Sequence, residues 1–320
     1  MSASKFFRLQ LLLAFAATYF IWGSTYLFIK FAVDTLPPFL MAGIRFLVSG
    51  AILYAIAMLT SKERPTAAHW RSAAIVGILM LGIGNGLVTW AEKTVPSGLT
   101  ALIISVVPLW MVLLEWFKDN RKPSFQSVAG VVLGIIGIGL LVDLSEVMPD
   151  AGLGLIGFVV LNIAALAWAT GSLHSRSAVL PKSGFLNAAL QMLCGGLCLT
   201  IVGVSLGETA FEWSSFSRQS IFALIYLIVF GSLVALTAYM WLIKNTAPAK
   251  ATTYAFVNPA IAVFLGWAFA GEPVSSKTAL ALLLVIVAVV LVLRAKATQT
   301  PLQTESARPN PDMAKLVKAE

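Results

Sequence analysis

Charge is scarce in this chain. Only 11% of its 320 residues are Asp, Glu, Lys or Arg, while 59% are apolar. A soluble domain is about 25% charged and about 45–50% apolar, so a soluble globule could not be coated from this composition. The same figures exclude a disordered chain or a collagen-like fibre. Cysteine and histidine are nearly absent, at two residues each, which excludes a disulfide scaffold. Cys194 and Cys198 lie four apart in an apolar run. Helical geometry at that spacing suits neither a mutual disulfide nor, with no histidine nearby, a metal site; they read as packing residues. A P-loop, an HExxH motif, a Ser-His-Asp set and a metal-ligand cluster are also missing, so ATP hydrolysis within the chain is not expected. Gly82-x-Gly84-x-Gly86 falls inside an apolar run, where it cannot serve as a dinucleotide loop. The chain reads as a non-enzyme without a cofactor or metal.

What is present is long apolar runs. They fall near 9–31, 38–60, 72–92, 97–117, 124–142, 152–174, 184–206, 219–242, 251–270 and 277–293. A membrane-crossing helix needs about 20 mostly apolar residues, and an open sheet cannot satisfy its backbone in lipid. The runs do not alternate as barrel strands do. The expected fold class is therefore an all-α integral membrane protein with ten transmembrane helices. The first run follows Lys5 and Arg8 like a signal peptide, but continues through Trp22 to Phe31 and reads as an uncleaved span. Residues 294–320, with Pro301, Pro309 and Pro311, read as a disordered tail.

The net charge of +8 matters through its placement. With ten spans, Lys30, Lys93, Arg218 and Lys277 fall on one side, Arg45 falls within a span, and the other 17 of the 22 basic residues fall on the opposite side. Basic residues accumulate on the cytoplasmic side, so both termini are expected there. Asp143, Glu146 and Asp150 share one outer loop. Nucleic acid is not an expected partner; lipid and a small solute are.

The chain weakly repeats itself. At offset 146, Trp22 meets Trp168, Phe39-Leu40 meets Phe185-Leu186, Gly50 meets Gly196, and Arg45 meets Gln191. At offset 151, Trp90 meets Trp241, Lys93 meets Lys244, Pro108 meets Pro259 and Trp116 meets Trp267. Two five-helix repeats follow, 9–142 and 152–293. Five is odd, so the second enters the membrane in the opposite sense. Such inverted repeats give a carrier two similar ways of closing around a midplane site.

Particular runs also resemble a known family. Trp90-Ala91-Glu92-Lys93-Thr94-Val95-Pro96-Ser97-Gly98-Leu99-Thr100-Ala101-Leu102 and Pro108-Leu109-Trp110 look like the signature of the EamA-type drug/metabolite transporters. So do Trp22-Gly23-Ser24-Thr25, Arg45-Phe46 and Gly271-Glu272-Pro273. The resemblance covers about residues 9–295. It implies ten helices in two EamA repeats in a bacterial inner membrane, and a secondary carrier, usually an exporter of amino acids, metabolites or drugs. The second copy departs from the pattern at Gln191 and at Ala247-Pro248-Ala249-Lys250. The superfamily also holds nucleotide-sugar and triose-phosphate carriers, so the substrate stays open.

Polar residues within spans must face water or a partner. Those sharing a helical face are Thr18, Trp22 and Tyr26 in the first span, and Asn85, Thr89 and Glu92 in the third. The sixth has Asn162, Trp168 and Ser172, the eighth Thr237, Trp241 and Lys244, and the ninth Tyr254 and Asn258. These faces are expected to line one cavity, the substrate pathway, although interhelical hydrogen bonding would use them equally well. Arg45 fits a carboxylate substrate or a structural tie to helix-end carbonyls. Glu92 fits a proton-carrying site or a surface ion pair with Lys93 or Lys30. His69 reads as solvated. Pro108 and Pro259 interrupt the middles of repeat-related helices and fit either gating hinges or static kinks. Gly130, Gly134 and Gly137, with Ala281 and Ala288 at offset 151, allow close helix packing or a dimer face; monomer and homodimer both remain open.

The function expected is a secondary transporter that exports a small organic solute by alternating access. Without an ATPase, uphill export needs a coupled ion, and one charge crossing 100 mV supplies ~2.3 kcal/mol, about a fifty-fold gradient. A uniporter, channel or importer is the alternative; a membrane-embedded transferase would need clustered acids or histidines at one membrane face.

Overall fold

A computed structural model describes residues 3–119, 124–140, 151–210 and 215–270, with scattered positions between 276 and 291. Among these, every regular element is helical. The first half contains α1 (Ala3–Ala16), α2 (Trp22–Val33), α3 (Pro38–Thr60), α4 (Ala67–Gly77), α5 (Gly86–Ala91), α6 (Ser97–Ile104), α7 (Val107–Asp119) and α8 (Phe125–Gly139). The second contains α9 (Ala151–Ser177), α10 (Gly184–Ser205), α11 (Arg218–Tyr226), α12 (Thr237–Asn245), α13 (Pro248–Ala251) and α14 (Tyr254–Ala270). The acidic loop 143–150, the Gly271-Glu272-Pro273 motif, most of the expected tenth span and the tail lie outside the described residues.

Among the described residues, six helical stretches are long and apolar enough to cross a membrane: Lys5–Val33, Pro38–Thr60, Ala67–Ala91, Ile156–Ser177, Gly184–Ser205 and Arg218–Asn245. Three lie in each half. Leu12, Leu59, Phe125, Leu197, Phe222 and Phe269 stand exposed on the outside. An apolar exterior of this kind fits lipid rather than water.

Three spans are not purely α-helical. Ala17–Ile21, Ile78–Asn85 and Leu227–Leu236 are π-helical. The last two occupy the third and eighth spans, which match at offset 151. A π turn inserts residues into the helical ladder, rotates the faces beyond it and frees backbone carbonyls; it often marks a functional site.

The α3–α10 pair is the most extensive helix–helix interface. Its helices run antiparallel, because Gly43 abuts Thr200 and Gly196, Gly50 abuts Leu193, and Gly203 abuts Leu40. A carboxylate caps each end. Gly207, at φ 78°, ends α10 in a left-handed turn, with Glu208 N bonded to Gly203 O at 2.9 Å. That is a Schellman closure, and it delivers the Glu208 carboxylate to the start of α3. There it accepts from Phe39 N and Leu40 N at 3.3 and 2.8 Å. At the other end Glu63, just past α3, accepts from Lys182 N and Ser183 N at 3.0 and 2.8 Å, ahead of α10. Anionic groups are favourable at helix N-termini. Partial burial works against the charged form of Glu63. The Ser183 and Lys182 N–H donors and the nearby His69 and Lys182 outweigh it and hold the carboxyl below its ordinary range. His69 is itself engaged: its Nδ1 accepts from Thr66 N while Thr66 Oγ1 accepts from His69 N, a capping box that starts α4.

The helices at 97–119 and 248–270, expected as the fourth and ninth spans, are broken. The first breaks at Ser105–Val106 and the second at Thr252–Thr253, one turn nearer the helix start. Hydroxyls take carbonyls at the breaks: Ser105 Oγ donates to Leu102 O, and Thr253 Oγ1 to Lys250 O. The interruption therefore precedes Pro108, which is the second residue of α7, where its missing N–H costs no helical bond. Pro259 does stand inside α14.

Candidate solute cavity

The two halves border a partly open internal space that leaves about 60 Å³ for water-sized occupants. The first half lines it with Trp22, Thr25, Tyr26, Arg45, Phe46, Asn85 and neighbouring aliphatics; the second supplies Ala164, Ala165, Trp168, Gly231, Leu236, Tyr254 and Asn258. Small-molecule sites are mostly apolar with a few placed polar groups.

One wall is aromatic. Trp22 meets Trp168 edge-on at 5.6 Å between ring centroids, Tyr239 at 5.1 Å and Tyr254 at 4.7 Å. Tyr239 in turn meets Trp168 at 5.7 Å and Tyr254 at 5.5 Å. Tilted and edge-to-face pairs at these separations are the favoured geometries. The cluster is anchored across the halves. Trp22 Nε1 donates to Gly231 O at 3.1 Å, a carbonyl within the second π-helical stretch of the offset pair. Tyr239 OH and Ser172 Oγ share a 2.8 Å hydrogen bond. With its amide nitrogen toward the carbonyls, Asn258 donates to Tyr19 O and Tyr254 O at 3.0 Å each. The Tyr19 hydroxyl reaches Thr253 Oγ1 at the break, 2.7 Å away.

The polar element of the cavity wall is Arg45, only 3% exposed in the second span. Its Nε donates to Ser232 Oγ at 2.8 Å, and its guanidinium carbon lies 4.8 Å from the Phe46 ring centroid. Nη1 is buried and meets no acceptor. The tie to helix-end carbonyls expected as one use of Arg45 is replaced by this serine contact from the eighth span. Glu92, at the end of α5, is 1% exposed, and neither carboxylate oxygen meets a donor. The surface ion pair with Lys93 or Lys30 is thus corrected: Glu92 faces inward, within electrostatic range of Lys30, Arg45 and Tyr26, while Lys93 is exposed. Lys93 instead lines a separate open cleft of about 460 Å³ with Asp34, Thr35, Trp90 and Glu208.

Among the residues singled out from sequence, Trp22, Tyr26, Arg45, Asn85, Trp168, Tyr254 and Asn258 come together around this space. Thr89 lies one turn behind Asn85, its hydroxyl spent on Asn85 O at 2.9 Å. Thr237 and Trp241 lie off the cavity; Trp241 packs against Phe7 at 5.6 Å between centroids. The eighth span turns Gly231, Ser232, Leu236 and Tyr239 inward instead. Ser232 had one signal in the sequence, a lone hydroxyl in an apolar run; Tyr239 lies off the face of Thr237, Trp241 and Lys244 that the spacing favoured. Among the described residues, no three metal-ligating side chains converge.

Residues 9–143 and 155–294 each match the EamA-like transporter family. The chain is 38% identical over 269 residues to the uncharacterized inner membrane transporter YedA of Escherichia coli (strain K12), covering 84% of this chain and 85% of that one. It is 27% identical over 259 residues to protein PecM of Dickeya dadantii (strain 3937), covering 80% and 82%. A solved structure described only as a crystal structure of protein superposes with a TM-score of 0.71 at 20% identity, over 90% of this chain and 99% of that one. At that identity the likeness is one of fold.

Proposed function

Because this chain belongs to the EamA-like transporter family and its relatives are named as membrane transporters, we propose that it is a secondary carrier exporting a small organic solute across a bacterial inner membrane. The observation that carries this reading is the cavity at the seam of the two halves, with walls drawn from both. In an inverted pair of five-helix repeats, 9–142 and 152–293, rocking one half against the other exposes such a site to each side in turn. Trp22, Tyr26, Asn85, Trp168, Tyr254 and Asn258 are the solute-facing residues in this reading, and both termini are cytoplasmic.

The broken fourth and ninth helices are the hinges of that motion, with Pro108 and Pro259 beside them as gating residues. Glu92 is the proton-carrying group that couples export to the proton gradient. Its buried carboxylate lacks a hydrogen-bond donor, and the charged groups in range are Lys30 and Arg45.

A deletion and overexpression screen against amino acids, analogues and toxic compounds identifies the solute and its direction, because an exporter confers resistance when overexpressed. Counterflow in proteoliposomes then tests the mechanism. A carrier accelerates exchange when solute is present on the far side; flux without that acceleration refutes alternating access. Glu92→Gln should abolish the dependence of export on a pH gradient while leaving counterflow intact. Unchanged pH-driven export would refute the coupling role.

A further inference from the structure

Arg45 is costly where it stands. A charged arginine within a membrane-spanning helix is expensive to insert, and an unsatisfied buried donor adds to that. Three features hold the guanidinium with one edge free. Ser232 Oγ takes Nε at 2.8 Å. The Phe46 ring lies against its face, 4.8 Å from the guanidinium carbon to the ring centroid. Gly231 leaves room for Nη2, since a methyl group at that position would come within 2.8 Å of it. Nη1 is left buried, without an acceptor, in a side chain that lines the cavity. A guanidinium edge is shaped to meet a carboxylate.

The second half shows what this position looks like without that task. Its counterpart, Gln191, is equally buried at 1% exposure, yet it is neutral, donates to Asn187 Oδ1 at 2.8 Å and lies off the cavity. The positive charge is a feature of one half only, so the symmetry of the fold does not require it. Glu92 does not consume it: the carboxylate makes no hydrogen bond and has Lys30 in range as well as Arg45. The rest of the lining is aromatic and aliphatic apart from the neutral Thr25, Asn85 and Asn258.

We infer that Arg45 is the anion-recognition residue of this cavity, and that its solute carries a single carboxylate on an apolar or aromatic body. One unpartnered guanidinium nitrogen, and no second cation among the described residues of the lining, match a monoanion rather than a phosphate dianion. The inference rests on the cavity being the solute path.

The test uses matched trios in which phenyl, indole and isobutyl bodies each carry a carboxylate, a primary amide or an amine. Binding to the purified full chain is read by thermal shift and titration calorimetry at neutral pH. The carboxylates of at least one body bind ~10–100-fold tighter than the amides, the range expected for a buried hydrogen bond to a charged group, and the amines bind no better than the amides. Arg45→Gln lowers the carboxylate to the level of the amide, and Arg45→Lys retains part of the difference. Ser232→Ala and Gly231→Ala keep the charge but unseat it, and both weaken the carboxylate selectively. They carry the test if Arg45→Gln is not recovered folded. Carboxylates that bind no better than amides, binding indifferent to all four substitutions, or no binding by any trio overturns the assignment. Failure of the transport reading looks different: an Arg45-dependent carboxylate that binds but shows no counterflow leaves the anion site standing and removes the carrier. Counterflow of an amide or amine unaffected by Arg45→Gln does the reverse.

Discussion

Gly77 supplies a substitution whose sign separates two explanations of the helix contacts. It ends α4 where that span crosses α10. A Cβ at Gly77 would lie 2.3 Å from Gln191 O and 3.1 Å from its carbonyl carbon; from the other side, a Cβ at Gly195 would lie 2.7 Å from Gly77 O. Ordinary carbon–oxygen contact begins about 1 Å further out, and the obstacle is backbone, which cannot turn aside as a side chain does. Gly77→Ala must therefore push the two helices apart along a buried contact. Overpacking of this kind costs about 1–3 kcal/mol. Against it stands the helical preference for alanine over glycine, about 1 kcal/mol in the opposite sense. Gly98 isolates that second effect, because nothing lies within 4 Å of a Cβ built there. In detergent, Gly77→Ala should lower the melting temperature by up to roughly 8 °C, and Gly98→Ala should leave it unchanged or raise it. Equal stabilisation by both would mean that the close approach of α4 to α10 is wrong. Scan-rate dependence affects both variants alike, so their ordering is the readout.

Other outcomes follow from single contacts. Glu63→Gln should destabilise the protein by about 0.5–1 kcal/mol at neutral pH, the lower part of the range for a helix cap because the site is partly solvated. The Glu63 carboxyl is held low in the folded state, so its contribution is present above the ordinary carboxylate pKa and lost as pH falls through the depressed value; the gap in melting temperature between wild type and variant should close on that acid side, and a gap that persists at low pH would contradict the assignment. Trp22→Phe removes the bond to Gly231 O, costing about 1 kcal/mol, whereas an unchanged melting temperature would show that the halves are not tied there. Tyr239→Phe strands Ser172 Oγ, which also sits 3.8 Å from Met80 Sδ, and should cost about 1 kcal/mol; pairing it with Ser172→Ala should recover part of that loss in a double-mutant cycle.

The elements that sequence foretold best are those whose chemistry is local. Pro38 and Ser183 start α3 and α10 where a helix-opening proline and an N-capping serine belong, and the bounds 38–60 and 184–206 agree with the helices to within a residue. The tryptophans matched at offset 146, Trp22 and Trp168, meet ring to ring, which a period of repeat alone can bring to attention. What stayed hidden is orientation. Spacing at i, i+4 and i+7 groups residues on a face but does not say which way the face turns, and the π-helical stretch from Leu227 to Leu236 breaks the α-helical register between the two ends of the eighth span. Beyond it Tyr239 is buried in the aromatic cluster while Thr237 and Trp241 lie off the cavity. In the third span Asn85, the last residue of the π-helical stretch, lines the cavity while Thr89 and Glu92 do not. The carboxylates of Glu63 and Glu208 were illegible for a different reason: each caps a helix more than a hundred residues away, and only the antiparallel docking of α3 on α10 brings them within reach. Local propensity reports which residues can cap, line or kink; whether they do so depends on which way the faces turn and on which helix ends the docking brings together.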